Sequence, residues 1–233
     1  MASLITGSQI FTRVSRILSD ETNVRWTSAE LLDLLNAGQR TIALIKPNVN
    51  ASTQNISLVA GTKQSLPVNI ITLDEIVRNI NPDNSAGPAI LPIQKVLLDN
   101  SFPGWHTYTP NSIVLFYCFD LKDPTQFWVF PPQPSNTNQK VEAIIETLPA
   151  NLTAASSVIS LDDIYEPPLT EYILYRCFLK DSEYGSLNYQ RAMGHYQTMM
   201  ELLNLKGTAE KMEGPDMPVD ASQPVVPPQV QGR

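Results

Sequence analysis

Residues 167–207 read PPLTEYILYRCFLKDSEYGSLNYQRAMGHYQTMMELLNLKG and contain the longest helical periodicity in the chain. They predict two helices, of which the first opens at the two leading prolines, where no backbone donor is needed. Gly185 marks the break before the second helix, and Lys206 with Gly207 forms a stop signal. In the second helix, apolar residues at 4-3-4-3 spacing predict a stripe that faces the core. The stripe consists of Tyr189, Met193, Tyr196, Met200 and Leu203.

A matching stripe lies near the N-terminus, in a helix predicted to begin at Thr27 and to end before Pro47. Thr27 and Glu30 form a capping box, in which each side chain bonds the backbone N–H of the other residue. Gly38 is unfavourable inside a helix, so it predicts a close neighbouring helix. The stripe consists of Leu31, Leu35, Gly38, Ile42 and Ile45. The two stripes predict that the two terminal regions pack on each other. Leu31, Leu35 and Ile42 are expected to lie near Tyr196, Met200 and Leu203.

Between these helical regions the apolar period changes to about two, which is typical of strands. A turn at residues 60–61 predicts that residues 55–59 pair with residues 62–66 in a hairpin. A second hairpin joins residues 113–119 to residues 127–130, and the pair of prolines that follows should end its strand. The spacing of the short strands favours a small antiparallel sandwich or an open barrel.

The predicted fold class is therefore α+β, with a helical layer from both ends of the chain and an inserted antiparallel β domain. Residues 1–47 and 167–207 supply the helical domain, and residues 48–166 supply the β domain. Residues 208–233 contain five prolines and no aromatic residue. This composition predicts an extended C-terminal arm that does not fold alone.

The composition excludes several classes of protein. Charged residues make up only 17% of the 233 residues, and the formal net charge is −7, which disfavours a protein that grips phosphate backbones. Cys118 and Cys177 lie in apolar runs and are expected to be buried free thiols. No segment is apolar and long enough to span a bilayer, and no signal peptide is visible, so a cytosolic origin is expected and membrane attachment is not.

The search for catalytic chemistry predicts no enzyme, no cofactor and no metal site. The sequence lacks a glycine-rich phosphate loop, a GxSxG motif, an HExxH motif and an EF-hand pattern. His106 and His195 are isolated histidines, and neighbouring carboxylates such as Asp74 and Glu75 point to opposite faces of a strand. Aromatic residues that could stack on sugars leave carbohydrate binding open, although such residues are usually core. They are Trp105, Trp128 and Phe130.

Four blocks of the sequence, in this order, resemble the head-to-tail adaptor, or connector, proteins of tailed bacteriophages, in particular short-tailed ones. They are WTSAELLDLLNAGQRTI (residues 26–42), LDNSFPGWH (98–106), FDLKDPTQFWVFPPQP (119–134) and YILYRCFLKDSEYG (172–185) followed by RAMGHYQTMMELL. Their order and spacing extend over most of residues 26–203, so the resemblance does not depend on a single motif.

The resemblance implies a structural virion protein at the head-tail junction, made in the host cytoplasm. It implies a homo-oligomeric ring, usually of twelve copies, which sits under the portal protein and extends the DNA channel. The ring would dock the tail nozzle and tail fibres, and genomic DNA would pass without specific binding. The arm would contact the portal through Val219, Val225 and Val226. The alternative from a different class is a carbohydrate- or receptor-binding structural module of a phage tail.

Overall fold

A computed structural model describes residues 4–68, 70–120, 123–135 and 138–213. The α-helices are α1 (Gly7–Ile17), α2 (Ser28–Ile45), α3 (Lys95–Ser101), α4 (Glu166–Lys180) and α5 (Ser186–Glu213). The strands are β1 (Ala51–Ser57), β2 (Gly61–Ser65), β3 (Ile70–Ile80), β4 (Ala86–Ala89), β5 (Leu91–Pro92), β6 (Phe116–Asp120), β7 (Asp123–Gln133) and β8 (Lys140–Thr147). The predicted α+β class is confirmed, and α3 is a helix that the periodicity did not predict.

The strands form two open four-stranded sheets, with orders β1-β8-β3-β4 and β2-β7-β6-β5. All pairings are antiparallel except that of β5 with β6. One apolar core draws side chains from both sheets, such as Ile76 and Ile145 from the first and Phe127 and Val129 from the second. This shared core makes the β region a small sandwich.

The predicted hairpin of residues 55–59 with residues 62–66 is wrong, because β1 pairs with β8 and β2 pairs with β7 in the other sheet. Gln64 explains why the chain can change sheets here. Its buried side chain accepts a hydrogen bond from the Val59 N–H at 2.7 Å and donates one to the Val59 carbonyl at 2.8 Å. The amide thus replaces the ladder bonds that a hairpin would supply to this turn.

The prediction that the proline pair ends its strand is also wrong, because β7 continues through Pro131 and Pro132 to Gln133. The pairing of β7 with β6 stops at Phe130. Proline has no backbone N–H group, but Pro131 and Pro132 cost no hydrogen bond to β6, because the two strands no longer pair beyond Phe130. The Pro132 carbonyl still accepts a hydrogen bond from the Asn111 N–H at 2.9 Å.

The helical domain has one core, to which α1, α2, α4, α5 and residues 152–165 contribute. α4 packs against both α2 and α5. The predicted packing of the two stripes holds only in part, because Met200 and Leu203 share the core with the α2 stripe, whereas the other three residues of the α5 stripe lie outside it. The prediction of a close helix at Gly38 is confirmed, because a Cβ atom there would lie 2.9 Å from Tyr172 Cδ1 and 3.3 Å from Leu169 Cδ2, both on α4.

The start of α2 follows the predicted cap in part. The Thr27 hydroxyl accepts a hydrogen bond from the Glu30 N–H at 3.3 Å. The Glu30 carboxylate does not complete the capping box, because it forms an ion pair with the Lys180 ammonium at the end of α4. The interaction with α4 replaces the local one, so the same glutamate ties the two helices together.

Two predictions about α5 are wrong. Between residues 186 and 205, the buried residues of α5 are Ala192, Met199 and Leu203, whereas Tyr189, Met193 and Tyr196 are exposed. The predicted stripe therefore lies to one side of the face of α5 that packs against α4. The helix also passes the expected stop at Gly207 and reaches Glu213, so the start of the predicted arm is helical. Residues 214–233 lie outside the described part of the chain.

Candidate functional site

Both histidines connect elements of structure. His195 Nδ1 lies 2.7 Å from Glu171 Oε2 and joins α5 to α4, and its ring stacks on Phe178 with centroids 5.3 Å apart. His106 Nδ1 lies 2.8 Å from the Thr62 hydroxyl. These contacts fix the packing between segments, and no cysteine or hydroxyl nucleophile accompanies the His195–Glu171 pair among its described contacts.

The acidic pairs differ from the prediction. Asp74 and Glu75 are not divided between an inner and an outer face of the strand, because the register of β3 shifts between Leu73 and Glu75 and leaves both exposed. Asp163 accepts hydrogen bonds from the Leu4 and Ile5 N–H groups, at 3.0 and 3.3 Å, and so anchors the N-terminal segment. Within the described ranges, no group of three or more His, Cys, Asp or Glu side chains could hold a metal ion.

Both cysteines are buried free thiols, as predicted. Burial raises the pKa of Cys118 to about 11 and the pKa of Cys177 to about 12. The thiolate is the nucleophilic form of cysteine, and at neutral pH these side chains are almost entirely protonated. Neither thiol is suited to nucleophilic catalysis.

The aromatic residues of the β domain form a small core instead of a sugar platform. Trp105 is 1% exposed, and its indole N–H donates to Asp99 Oδ1 at 2.9 Å. Phe130 is also buried, and Trp128 is half-buried with the Lys95 ammonium 4.9 Å from its ring centroid. Two of the three candidate stacking residues thus lack the open ring face that a sugar needs.

Two of the four sequence blocks that carry the family resemblance meet in this aromatic core. Residues 98–106 supply α3 and Trp105, and residues 119–134 supply β7 with Phe130. The Phe130 ring lies against three others, at centroid distances of 5.5 to 6.4 Å; they are Phe102, Tyr108 and Phe116. The blocks therefore mark a packed structural unit and not a set of reacting groups.

The α5 helix exposes large apolar side chains on two sides. Tyr189, Met193 and Tyr196 lie on one side and are 38 to 52% exposed, whereas Leu187 and Leu205, at 57 and 68%, lie on roughly the opposite side. Between residues 186 and 205 the only formal charges are those of Arg191 and Glu201. A row of exposed apolar side chains with few charges, such as that of Tyr189, Met193 and Tyr196, is typical of a contact with another macromolecule.

Sequence reasoning assigned most of this surface to the core. The sequence contains a signal against this assignment, because apolar residues occur on more than one side of α5. A helix with this pattern needs cover on more than one side, and α4 covers only one. The predicted portal contacts Val219, Val225 and Val226 lie outside the described residues, so the structure does not place them.

Comparison with known protein families gives a match over nearly the whole chain. Residues 5–223 match the family described as SU10 adaptor protein. The match includes the helical layer and the inserted β domain. No curated protein matches the chain significantly. Among the described residues, no helix combines the length and the apolar character needed to cross a membrane.

Proposed function

The chain belongs to the SU10 adaptor protein family, and from this membership we propose that it forms a ring under the portal of a tailed phage. It is a structural phage adaptor of the virion, and its family is not a family of enzymes. In the proposed ring, usually of twelve copies, the chain extends the DNA channel at the head-tail junction. The ring docks the tail nozzle and tail fibres. The chains are made in the host cytoplasm before assembly.

One observation carries this proposal: the family match extends from residue 5 to residue 223 and so includes every element of the fold. Incubation with purified portal rings of the same virus tests it. We expect the chain to cosediment with the rings. The carbohydrate-binding alternative predicts instead that the isolated chain binds glycans and ignores portal rings, and the buried Trp105 and Phe130 give that alternative little support.

We further propose that DNA passes through the ring without specific binding. The chain carries a formal net charge of −7, and repetition around a ring multiplies that charge. An acidic channel wall repels phosphate, so DNA can slide without being held at local sites.

The C-terminal arm is proposed to contact the portal through Val219, Val225 and Val226. α5 is much longer than α4, and the contact between His195 and Glu171 aligns the two helices side by side. At about 1.5 Å per residue, α5 projects roughly 20 Å past the start of α4. The residues after Glu213 then add a reach of up to roughly 60 Å when extended. This reach supports contact with a partner beyond the arm's own subunit.

Deletion of residues 214–233 is therefore expected to leave the melting temperature of the chain unchanged within about 1 °C, because it removes no part of the described core. The same deletion should weaken attachment to portal rings by at least about tenfold, since small apolar anchors and a stiff arm are lost. Calorimetry and a binding titration measure the two effects.

A full-length chain with serine at Val219, Val225 and Val226 tests the three anchors separately from the length of the arm. Serine at Val96, which is 64% exposed on α3, is the matched control. Portal binding as tight for the truncated chain as for the full chain would show that the arm makes no contact of consequence.

A further inference from the structure

The stripe on α5 that includes Tyr189, Met193 and Tyr196 has the spacing of a helix-packing seam, but in the described part of the chain these three side chains remain exposed. The residues follow one another at four and three positions, and the pattern continues into half-buried Met200 and buried Leu203. Apolar residues at this spacing insert between the side chains of a facing helix. α4 fills this role only for the last part of the stripe.

The open part of the seam is continuous with the core of its own subunit. Tyr196 lies against Tyr175 of α4, with ring centroids 5.2 Å apart, and Tyr175 lies 6.2 Å from Tyr172. Tyr172 in turn contacts α2 at Gly38. A helix that docked on the seam would therefore rest on a rigid row of aromatic rings, which limits the side-chain entropy lost on binding.

The chemistry of the seam selects a neutral helix as its occupant. Nucleic acid is disfavoured, because Arg191 is the only cation between residues 186 and 205. The chain's own arm is disfavoured as well, because its five prolines prevent it from forming the helix that the seam spacing requires.

The charge of the whole chain favours a second copy as the source of that helix. Copies with a net charge of −7 repel one another, so a close contact between them costs less where the surface is neutral. The exposed residues of the seam, Tyr189, Met193 and Tyr196, are uncharged. The positive charge of Arg191 and the negative charge of Glu201 cancel between residues 186 and 205.

We propose that the α5 seam, formed by Tyr189, Met193 and Tyr196, is the contact through which one copy of this chain packs against a helix of the next copy. The proposal rests on the ring that the proposed function requires. It adds the surface by which neighbouring subunits recognise each other. A contact of this kind between two different faces repeats around a closed ring.

Charge substitutions in the full-length chain test the seam. Met193→Glu and Tyr196→Glu place a charge on the seam, and Thr198→Glu places the same charge on the opposite flank of the same helix, where the side chain is also exposed. Native mass spectrometry and sedimentation measure the number of copies bound per portal ring. Calorimetry checks that each variant is folded.

The parent chain and Thr198→Glu are expected to form complete rings on the portal, whereas the two seam variants should bind at least about tenfold more weakly and leave the rings incomplete. If Met193→Glu and Tyr196→Glu form complete rings, or if Thr198→Glu binds as weakly as they do, the seam is not the contact between copies. The adaptor role would still stand. Seam variants that assemble with one another but no longer bind the portal would assign the surface to the portal instead. A parent chain that never binds portal rings would overturn the adaptor role itself.

Discussion

Replacement of Leu35 by aspartate is expected to lower the free energy of unfolding by about 4 kcal/mol, because it buries a charge without a partner. Leu35 is 0% exposed at the centre of the helical core. Its Cδ2 atom lies within 3.3 Å of the position that a Cβ atom would take at Gly7, so α1 would be disturbed together with α2. Urea denaturation followed by circular dichroism measures the loss.

Leu44→Asp is the matched control for this prediction. Leu44 lies on the same helix and is 82% exposed, so the same substitution should change the free energy of unfolding by less than about 0.5 kcal/mol. A melting temperature of Leu35→Asp within a degree of the parent would contradict the assignment of this helix face to the core.

Asn79→Leu should destabilise the β domain by about 3 kcal/mol, because it leaves buried backbone groups without partners. The Asn79 side chain donates to the Pro88 carbonyl at 3.0 Å and to the Val114 carbonyl at 2.8 Å, and it accepts from the Val114 N–H at 2.9 Å. The residue is 1% exposed, so water cannot replace these bonds.

Asn55→Leu on exposed β1 is the matched control and should have a small effect. Thermal unfolding of both variants in a Trp26→Phe background, in which the near-ultraviolet tryptophan signal comes only from Trp105 and Trp128 of the β domain, measures the difference. Equal melting temperatures for the two variants would show that the bonds of Asn79 do not hold the strands together.

Elements with a strong local signal could be predicted from the sequence. The cap at Thr27 and the proline at position 47 bound α2 because they act on the backbone within a few residues. Gly38 indicated a close helix because the cost of glycine in a helix needs a compensating contact, and Tyr172 supplies it.

Features that depend on distant residues could not be predicted in the same way. The periodicity placed strands near β1 and β2 but could not show that Gln64 would satisfy the turn and send β2 into the other sheet. The heptad spacing in α5 predicted a packed stripe but could not show which partner packs on it, because one chain supplies only part of the cover. The resemblance of four sequence blocks to phage adaptors, in contrast, agrees with the family match over residues 5–223.

The most direct test of the account is the mass of the complex that forms when the full-length chain is mixed with portal rings of the same virus. The account predicts a single species in which every portal ring gains the same fixed number of chains of 25.9 kDa, twelve in the proposed ring. Two results would contradict the claim that this protein forms a ring beneath the portal. The portal rings could keep their own mass, or they could gain a number of chains that varies from ring to ring.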